Sequence, residues 1–302
     1  MYKGCLTDIG GVTAGHYTDS ENKTGCTVVM IAQGAVAGVD VRGSAPGTRE
    51  TDLLRPANLV EHAHAFVISG GSAFGLATAD GVMHWLEEHG IGFDTGCARV
   101  PIVPAAVLYD LGVGSAAVRP DAQAGYAACE NAAHKPLAQG PFGAGTGASV
   151  GKAAGQHLAG RGGFGTASMT LPGGVIVAAG FAVNAFGDIF DHTNGQKIAG
   201  MRGGSVFEAM MQGSTQDFSA QNTTIGIVGT NAALTKEQAG KLAAVGQSGI
   251  ALCVRPAHTM FDGDTVFSFA TGELQGNFHA VLAAAEQVCA YAIMHAVTEA
   301  EK

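Results

Sequence analysis

Charge is scarce in this sequence. Asp, Glu, Lys and Arg make up 14% of its 302 residues, against a usual share of about 25%, while apolar residues make up 47%. That balance excludes a disordered chain and a coiled coil. Positive charge is scarcest: 16 Lys and Arg against 25 Asp and Glu leave a net charge of −9. No basic cluster exists to meet a phosphate backbone, so nucleic acid is not an expected partner. Long apolar runs are missing as well, and nothing approaches the roughly 20 apolar residues of a membrane span. The opening MYKGCLTDIGG has no charged segment followed by an apolar run, so no secretory signal is expected. The six cysteines (Cys5, Cys26, Cys97, Cys129, Cys253 and Cys289) contain no C-x-x-C pair. They read as buried reduced thiols of a cytoplasmic protein.

Glycine is in excess. It supplies 46 residues, roughly 15% of the chain against about 7% in average usage. There is no G-X-Y period, so the excess implies tight turns and close backbone approaches, not a collagen. The length suits one large domain or two ordinary ones. Residues 26–41 read as two strands around Gln33-Gly34, and 65–69 as a short strand. A helix is expected from Gly70-Gly71-Ser72 to about Glu88, closed by Gly90, and a second over 121–133 with Asp121 as its N-cap. Residues 140–174, with 12 glycines, read as a long loop or a series of turns. Residues 174–186 suggest a strand pair, and 195–220 an exposed connector. A strand at 223–230, a helix at 235–247, strands at 249–254 and 265–270, and a helix at about 274–299 complete the chain. Strands and helices in mixed order, with hairpins, predict a layered α+β fold and not a doubly wound parallel sheet.

The glycine-rich motifs fail as nucleotide sites. A P-loop over 146–153 would need Gly at 146 and Ser or Thr at 153, but the sequence has Thr146 and Ala153. Gly160, Gly162 and Gly165 satisfy G-x-G-x-x-G without the strand and helix that the motif requires. A nucleophile elbow at Ser72 lacks its second glycine, since Phe74 stands there. His62 and His64 are two apart and no H-E-x-x-H exists, so no metal site is expected.

One constellation survives. Asn222-Thr223 lies where the irregular connector meets an apolar strand, and Asp262-Gly263-Asp264 follows downstream. Lys152, Asn184 and Tyr109 lie upstream. Singly, each has an ordinary reading as a turn former, surface charge or strand residue. Together with their surroundings they resemble the P1 family of self-processing N-terminal-nucleophile hydrolases, peptidase family S58. That family includes aminopeptidases with D-esterase activity and nylon-oligomer hydrolases. The resemblance rests on blocks in order along nearly the whole chain: Val12–His16, Thr24–Val29, Arg42–Thr48, Ser69–Gly75, Val183–Asp188 and Thr223–Val228.

The resemblance implies an αββα sandwich formed by one catalytic domain over residues 1–302. It implies a precursor that cuts itself between Asn222 and Thr223 into fragments 1–222 and 223–302, which stay together and assemble as homotetramers. Thr223 Oγ would be the nucleophile and its freed α-amine the base, with an ordinary pKa of about 7.7–8.0. Asn184 would donate to the oxyanion, and Tyr109 would help there or place the substrate. Lys152 would lower the pKa of the amine by like-charge repulsion, with Asp262 and Asp264 orienting both. No metal or organic cofactor is called for. The Asn-Thr junction matches the oligomer-hydrolase branch, whereas the aminopeptidase branch carries Gly-Ser. The expected substrate is therefore a small linear amide, such as an ω-amino-acid oligoamide, or a short peptide. The alternatives are a broad aminopeptidase or β-aminopeptidase with D-esterase activity, an acyltransferase resembling ornithine acetyltransferases, and a non-catalytic assembly protein.

Overall fold

A computed structural model describes residues 3–213 and 222–302. The chain begins with β1 (Val12–Asp19), β2 (Thr24–Val41), β3 (Gly47–Arg49) and β4 (His62–Ser69), then a 3-10 turn and helix α1 (Thr78–Glu88). A small hairpin, β5 (Phe93–Asp94) and β6 (Arg99–Val100), leads to β7 (Ala105–Val107) and helix α2 (Ala122–Glu130). β8 (Ser149–Val150) and β9 (Gly160–Arg161) precede the long pair β10 (Gly163–Thr170) and β11 (Ile176–Asn184). After β12 (Asp188–Phe190), β13 (Lys197–Ala199) and the short α3 (Val206–Met211) comes β14 (Thr223–Ala232). Helix α4 (Lys236–Cys253), β15 (Val254–Arg255), β16 (Thr265–Leu274) and helix α5 (Phe278–Ala300) end the chain.

The main sheet runs β10-β11-β14-β16-β2-β4-β7-β3, with β1 also on β2. β2 joins its two halves. Its first part pairs with β1 and β4, and its last part, Val36–Val41, pairs with β16. Three hydrophobic clusters then define four layers. One packs α1 and α2 on the β2-β4-β7 half through Val28, Val67, Val82, Leu86 and Ala128. A second fills the space between the halves with Phe66, Phe164, Ile225, Phe267 and Phe269. A third packs α4 and α5 on the other half through Val183, Val228, Ile250, Val288 and Ile293. The order is helix, sheet, sheet, helix, the αββα arrangement the family resemblance implies. Phe66 lies 5.7 Å from Phe267 and 6.0 Å from Phe269, ring centre to ring centre. Burying side chains of this size contributes roughly 1.5–3 kcal/mol each.

Several sequence expectations change. Residues 26–41 are one strand and not a hairpin. Gly34, at φ +77, sits at a register shift in the β2–β4 pairing, between Met30 and Ala35, so the glycine marks an irregularity instead of a reversal. Residues 249–254 continue α4 through Cys253. An unbroken apolar run does not distinguish a buried strand from a buried helix, and here Ile250 and Cys253 pack in the cluster under α5. Residues 174–186 hold one strand, β11, whose hairpin partner β10 lies inside the supposed glycine loop. That strand carries glycine because α5 lies directly on it. A Cβ on Gly165 would come within 2.2 Å of Ala292 O and of Ala296 N. The supposed connector includes β13 and α3, and its residues 214–221 lie outside the described residues.

The other helices follow their sequence signals. Asp121 caps α2 by accepting the Ala124 N–H at 3.0 Å. Thr235 and Gln238 form a reciprocal capping box at the start of α4, as S/T-x-x-E/Q pairs do. α5 is the one helix among the described residues long and apolar enough to cross a membrane, and 67% of its most apolar window is buried inside the protein. Its packing on β10, β11 and α4 accounts for that composition.

Candidate active site

Sheet register builds the site. Thr223 opens β14, a strand in the middle of the main sheet. On one side it stands opposite Asn184, the last residue of antiparallel β11. On the other side runs parallel β16, and the Asp262-Gly263-Asp264 turn just before β16 continues the pairing through a bridge between Asn222 and Asp262. The residues that approach Thr223 are thus set by two strand neighbours, not by sequence proximity. Asn222 and Thr223 are each only 5% exposed.

The carbonyl oxygen of Asn222 accepts two hydrogen bonds, from Thr223 Oγ at 2.5 Å and from the Gly263 N–H at 2.9 Å. The two carboxylates flanking Gly263 are buried and separately held. Asp264 Oδ1 accepts the Thr224 N–H at 2.7 Å, and its Oδ2 accepts the backbone N–H and ring Nδ1 of His258 at 3.1 and 2.9 Å. Asp262 Oδ2 accepts the Thr259 N–H at 2.8 Å and the Thr259 hydroxyl at 2.6 Å. Burial, and then the neighbouring charge of Asp264, push the Asp262 carboxyl up to about 6. The segment Arg42–Ala45 clamps this turn from outside: Arg42 and Gly43 donate to Asp264 O at 3.0 and 3.2 Å, and Ala45 donates to Asp262 O at 2.9 Å.

Opposite the carboxylates, Lys152 Nζ donates to Asn184 Oδ1 at 2.7 Å and to Asn184 O at 3.0 Å. Desolvation lowers the Lys152 ammonium to about 7, against the raising influence of Asp262 and Asp110. Asn184 Oδ1 also accepts the Ser149 N–H at 3.0 Å, and its amide donates to Tyr109 O at 2.9 Å. Tyr109 and Thr223 share the wall of a cavity of about 220 Å³ with Pro46, Gly47, Ser72 and Val107. All six predicted site residues and Asn222 therefore fall in one neighbourhood. A larger cavity of about 570 Å³ between α1 and α2 shares no lining residue with this one. Its Asp80 already pairs with Arg49, and its Glu130 accepts the Trp85 indole N–H.

Four polar residues in or near the site were given no role by the sequence reading. Asp110 is buried and accepts Thr24 Oγ and the Gly71 N–H, both at 2.7 Å, so it ties two of the conspicuous sequence blocks together next to Tyr109 and Ser72, which line the cavity. Burial raises its pKa. Asp188 accepts the N–H groups of Met201 and Val206 at 2.7 and 2.8 Å and fixes the approach to α3. His258 and Thr259 hold the two carboxylates. The one usable signal was adjacency: Asp110 follows Tyr109, and His258-Thr259 lies just before Asp262. Five cysteines are buried and free, while Cys97 is free but exposed. Among the described residues no group of three His, Cys, Asp or Glu is placed to hold a metal ion.

A buried threonine hydroxyl thus lies against the preceding carbonyl at the centre of an αββα sandwich. Comparison with known proteins gives the family. A model of peptidase family S58 matches residues 4–302, and the chain belongs to that family. An uncharacterized aminopeptidase of Mycobacterium leprae is 40% identical over 98% of this chain and 90% of its own length. A 6-aminohexanoate-oligomer endohydrolase of a Kocuria species is 33% identical over 88% of this chain and 75% of its own. Among solved structures, the L-aminopeptidase D-Ala-esterase/amidase of Ochrobactrum anthropi superposes with a TM-score of 0.76 at 19% identity, covering 99% of this chain and 88% of that one. A Burkholderia β-aminopeptidase gives 0.73 at 21% identity, with the same coverage. The fold is shared with both, and the protein is a hydrolase of amide or peptide bonds.

Proposed function

We propose that this chain is a precursor that cuts itself between Asn222 and Thr223, and that the freed Thr223 is the nucleophile of an amidase. The observation that carries this is the contact of Thr223 Oγ with the Asn222 carbonyl, 2.5 Å from its oxygen. In the cut, Thr223 Oγ attacks the Asn222 carbonyl carbon. Negative charge develops on an oxygen that already accepts the Gly263 N–H at 2.9 Å, within the range useful for oxyanion stabilisation. The C–N bond then breaks, and the proton lost by Oγ ends on the Thr223 nitrogen. Water hydrolyses the resulting ester, leaving an Asn222 carboxylate and a Thr223 with free amine and hydroxyl.

In turnover the Thr223 amine takes the proton from Oγ as it attacks the substrate carbonyl, then delivers it to the leaving amine. Lys152, with a pKa near 7, tunes that amine. Asn184 and Tyr109 serve the substrate oxyanion and substrate placement. Substrates are small linear amides, among them 6-aminohexanoate oligomers, or short peptides. The Asn-Thr junction favours this reading over a simple aminopeptidase. The working form is a homotetramer of cleaved chains in the cytoplasm.

The first test is the denatured intact mass. Scaling 30.4 kDa by fragment length gives about 22 and about 8 kDa, the outcome of a threonine that becomes N-terminal by self-cleavage. The small fragment should begin Thr-Thr-Ile-Gly. Thr223→Ala should leave one uncut, inactive chain; cleavage of that variant at the same bond would assign the nucleophile elsewhere. A panel of 6-aminohexanoate oligomers and aminoacyl anilides separates oligoamide hydrolysis from aminopeptidase activity.

A further inference from the structure

Two adjacent residues of one loop hold the two site carboxylates: Thr259 binds Asp262, and His258 binds Asp264. The His258 contact extends further. The second oxygen of Asp264 accepts the N–H of Thr224 at 2.7 Å, the peptide immediately after Thr223. A continuous path thus runs from the imidazole through a carboxylate to the backbone that carries the nucleophile. The ring Nδ1 faces Asp264 Oδ2 at 2.9 Å, where a proton on that nitrogen is donated to the carboxylate. The other nitrogen, Nε2, is buried with no hydrogen-bond partner among the described residues, so Asp264 is what the ring binds. His258 also has φ +56, in the left-handed region that non-glycine residues occupy at a cost. Such outliers persist where their surroundings demand them, often at functional sites.

We infer that His258 is a positioning residue for the nucleophile. It fixes the orientation of Asp264, which fixes the Thr224 peptide and with it the direction of Thr223 Oγ and of the amine that self-cleavage releases. The inference rests on Thr223 being the nucleophile.

Two variants of the full chain test it. His258→Gly suits the left-handed backbone, keeps the backbone N–H to Asp264 and removes the imidazole with its Nδ1 contact. His258→Asn also tolerates that backbone and restores a side-chain N–H donor close to Cβ. Three quantities are measured: melting temperature, the rate of self-cleavage by mass, and kcat and KM on the linear 6-aminohexanoate trimer. His258→Gly should melt no lower than the wild type, yet cleave itself about tenfold more slowly and lose about tenfold in kcat at unchanged KM, as a misaimed nucleophile would. His258→Asn should recover most of both rates. Wild-type rates in His258→Gly would overturn the inference, as would a loss carried by KM or one that His258→Asn does not rescue. If the wild type cleaves itself but does not hydrolyse the trimer, the self-cleavage rates decide. A wild type that does neither removes the nucleophile assignment, and the role of His258 with it.

Discussion

At the scale of single residues, Lys152 shows how the site sets its chemistry by burial. Its pKa falls from 10.5 to about 7 because the ammonium loses more hydration than its neighbours return. Between those two values the unfolded chain binds more protons than the folded one, so stability rises with pH across that window. The cost of burying the charge is complete below pH 7 and fades toward pH 10.5. Lys152→Met should therefore gain most in melting temperature over the wild type at pH 6, and that difference should shrink by pH 10. A constant difference across the range would mean that Lys152 is not desolvated. Thr223 and Asn184 were legible in sequence because each lies in a recognisable block, and Lys152 and the two aspartates because the family resemblance assigns them roles. His258 and Asp110 were not. A lone histidine or aspartate carries no pattern, and what it holds is decided by chain segments far away in sequence.

Elements are held together here by close approaches and by buried polar ties. Asp110 joins the start of β2 to the turn after β4 through Thr24 and Gly71. Asp110→Ala would leave a buried hydroxyl and a buried N–H without that acceptor, at a cost of about 1–3 kcal/mol. Denaturant unfolding should report that loss, with slower turnover, since Ser72 at the cavity wall follows the same turn. On the other half, Gly165→Ala would drive a methyl group into the backbone of α5. Overpacking of that kind typically costs about 1–3 kcal/mol, and here no flexible side chain can yield. A melting temperature equal to that of the wild type would mean that α5 does not lie on β10 as described. The glycine-rich stretch looked like a loop because its signal, scarcity of side chains, is common to loops and to strands covered by a tightly docked helix.

For the whole molecule, the position of β14 governs what a cut before Thr223 would do. β14 and β16 sit side by side, flanked by β11 on one edge and β2 on the other. α4 and α5 share one core with β11. The fragments would therefore be interlocked through three strand pairings, β11–β14, β2–β16 and β12–β15, and a common core. They should co-elute under native conditions and separate only in denaturant. Residues 1–222 expressed alone, lacking two central strands and a helical layer, should fail to fold cooperatively; a folded 1–222 fragment would contradict this arrangement.

The sequence by itself determined the family, the layered α+β class, the nucleophile candidate and its charged neighbours. These depend on local composition and on blocks that survive along the chain. Tertiary structure alone decided that 26–41 is one strand serving two half-sheets, that α4 absorbs a supposed strand, that the Gly263 N–H meets the Asn222 carbonyl, and that Asp110 and His258 support the site. The physical reason is the same in each case. Periodicity and composition report which groups must be buried, whereas strand register and helix docking determine which groups meet.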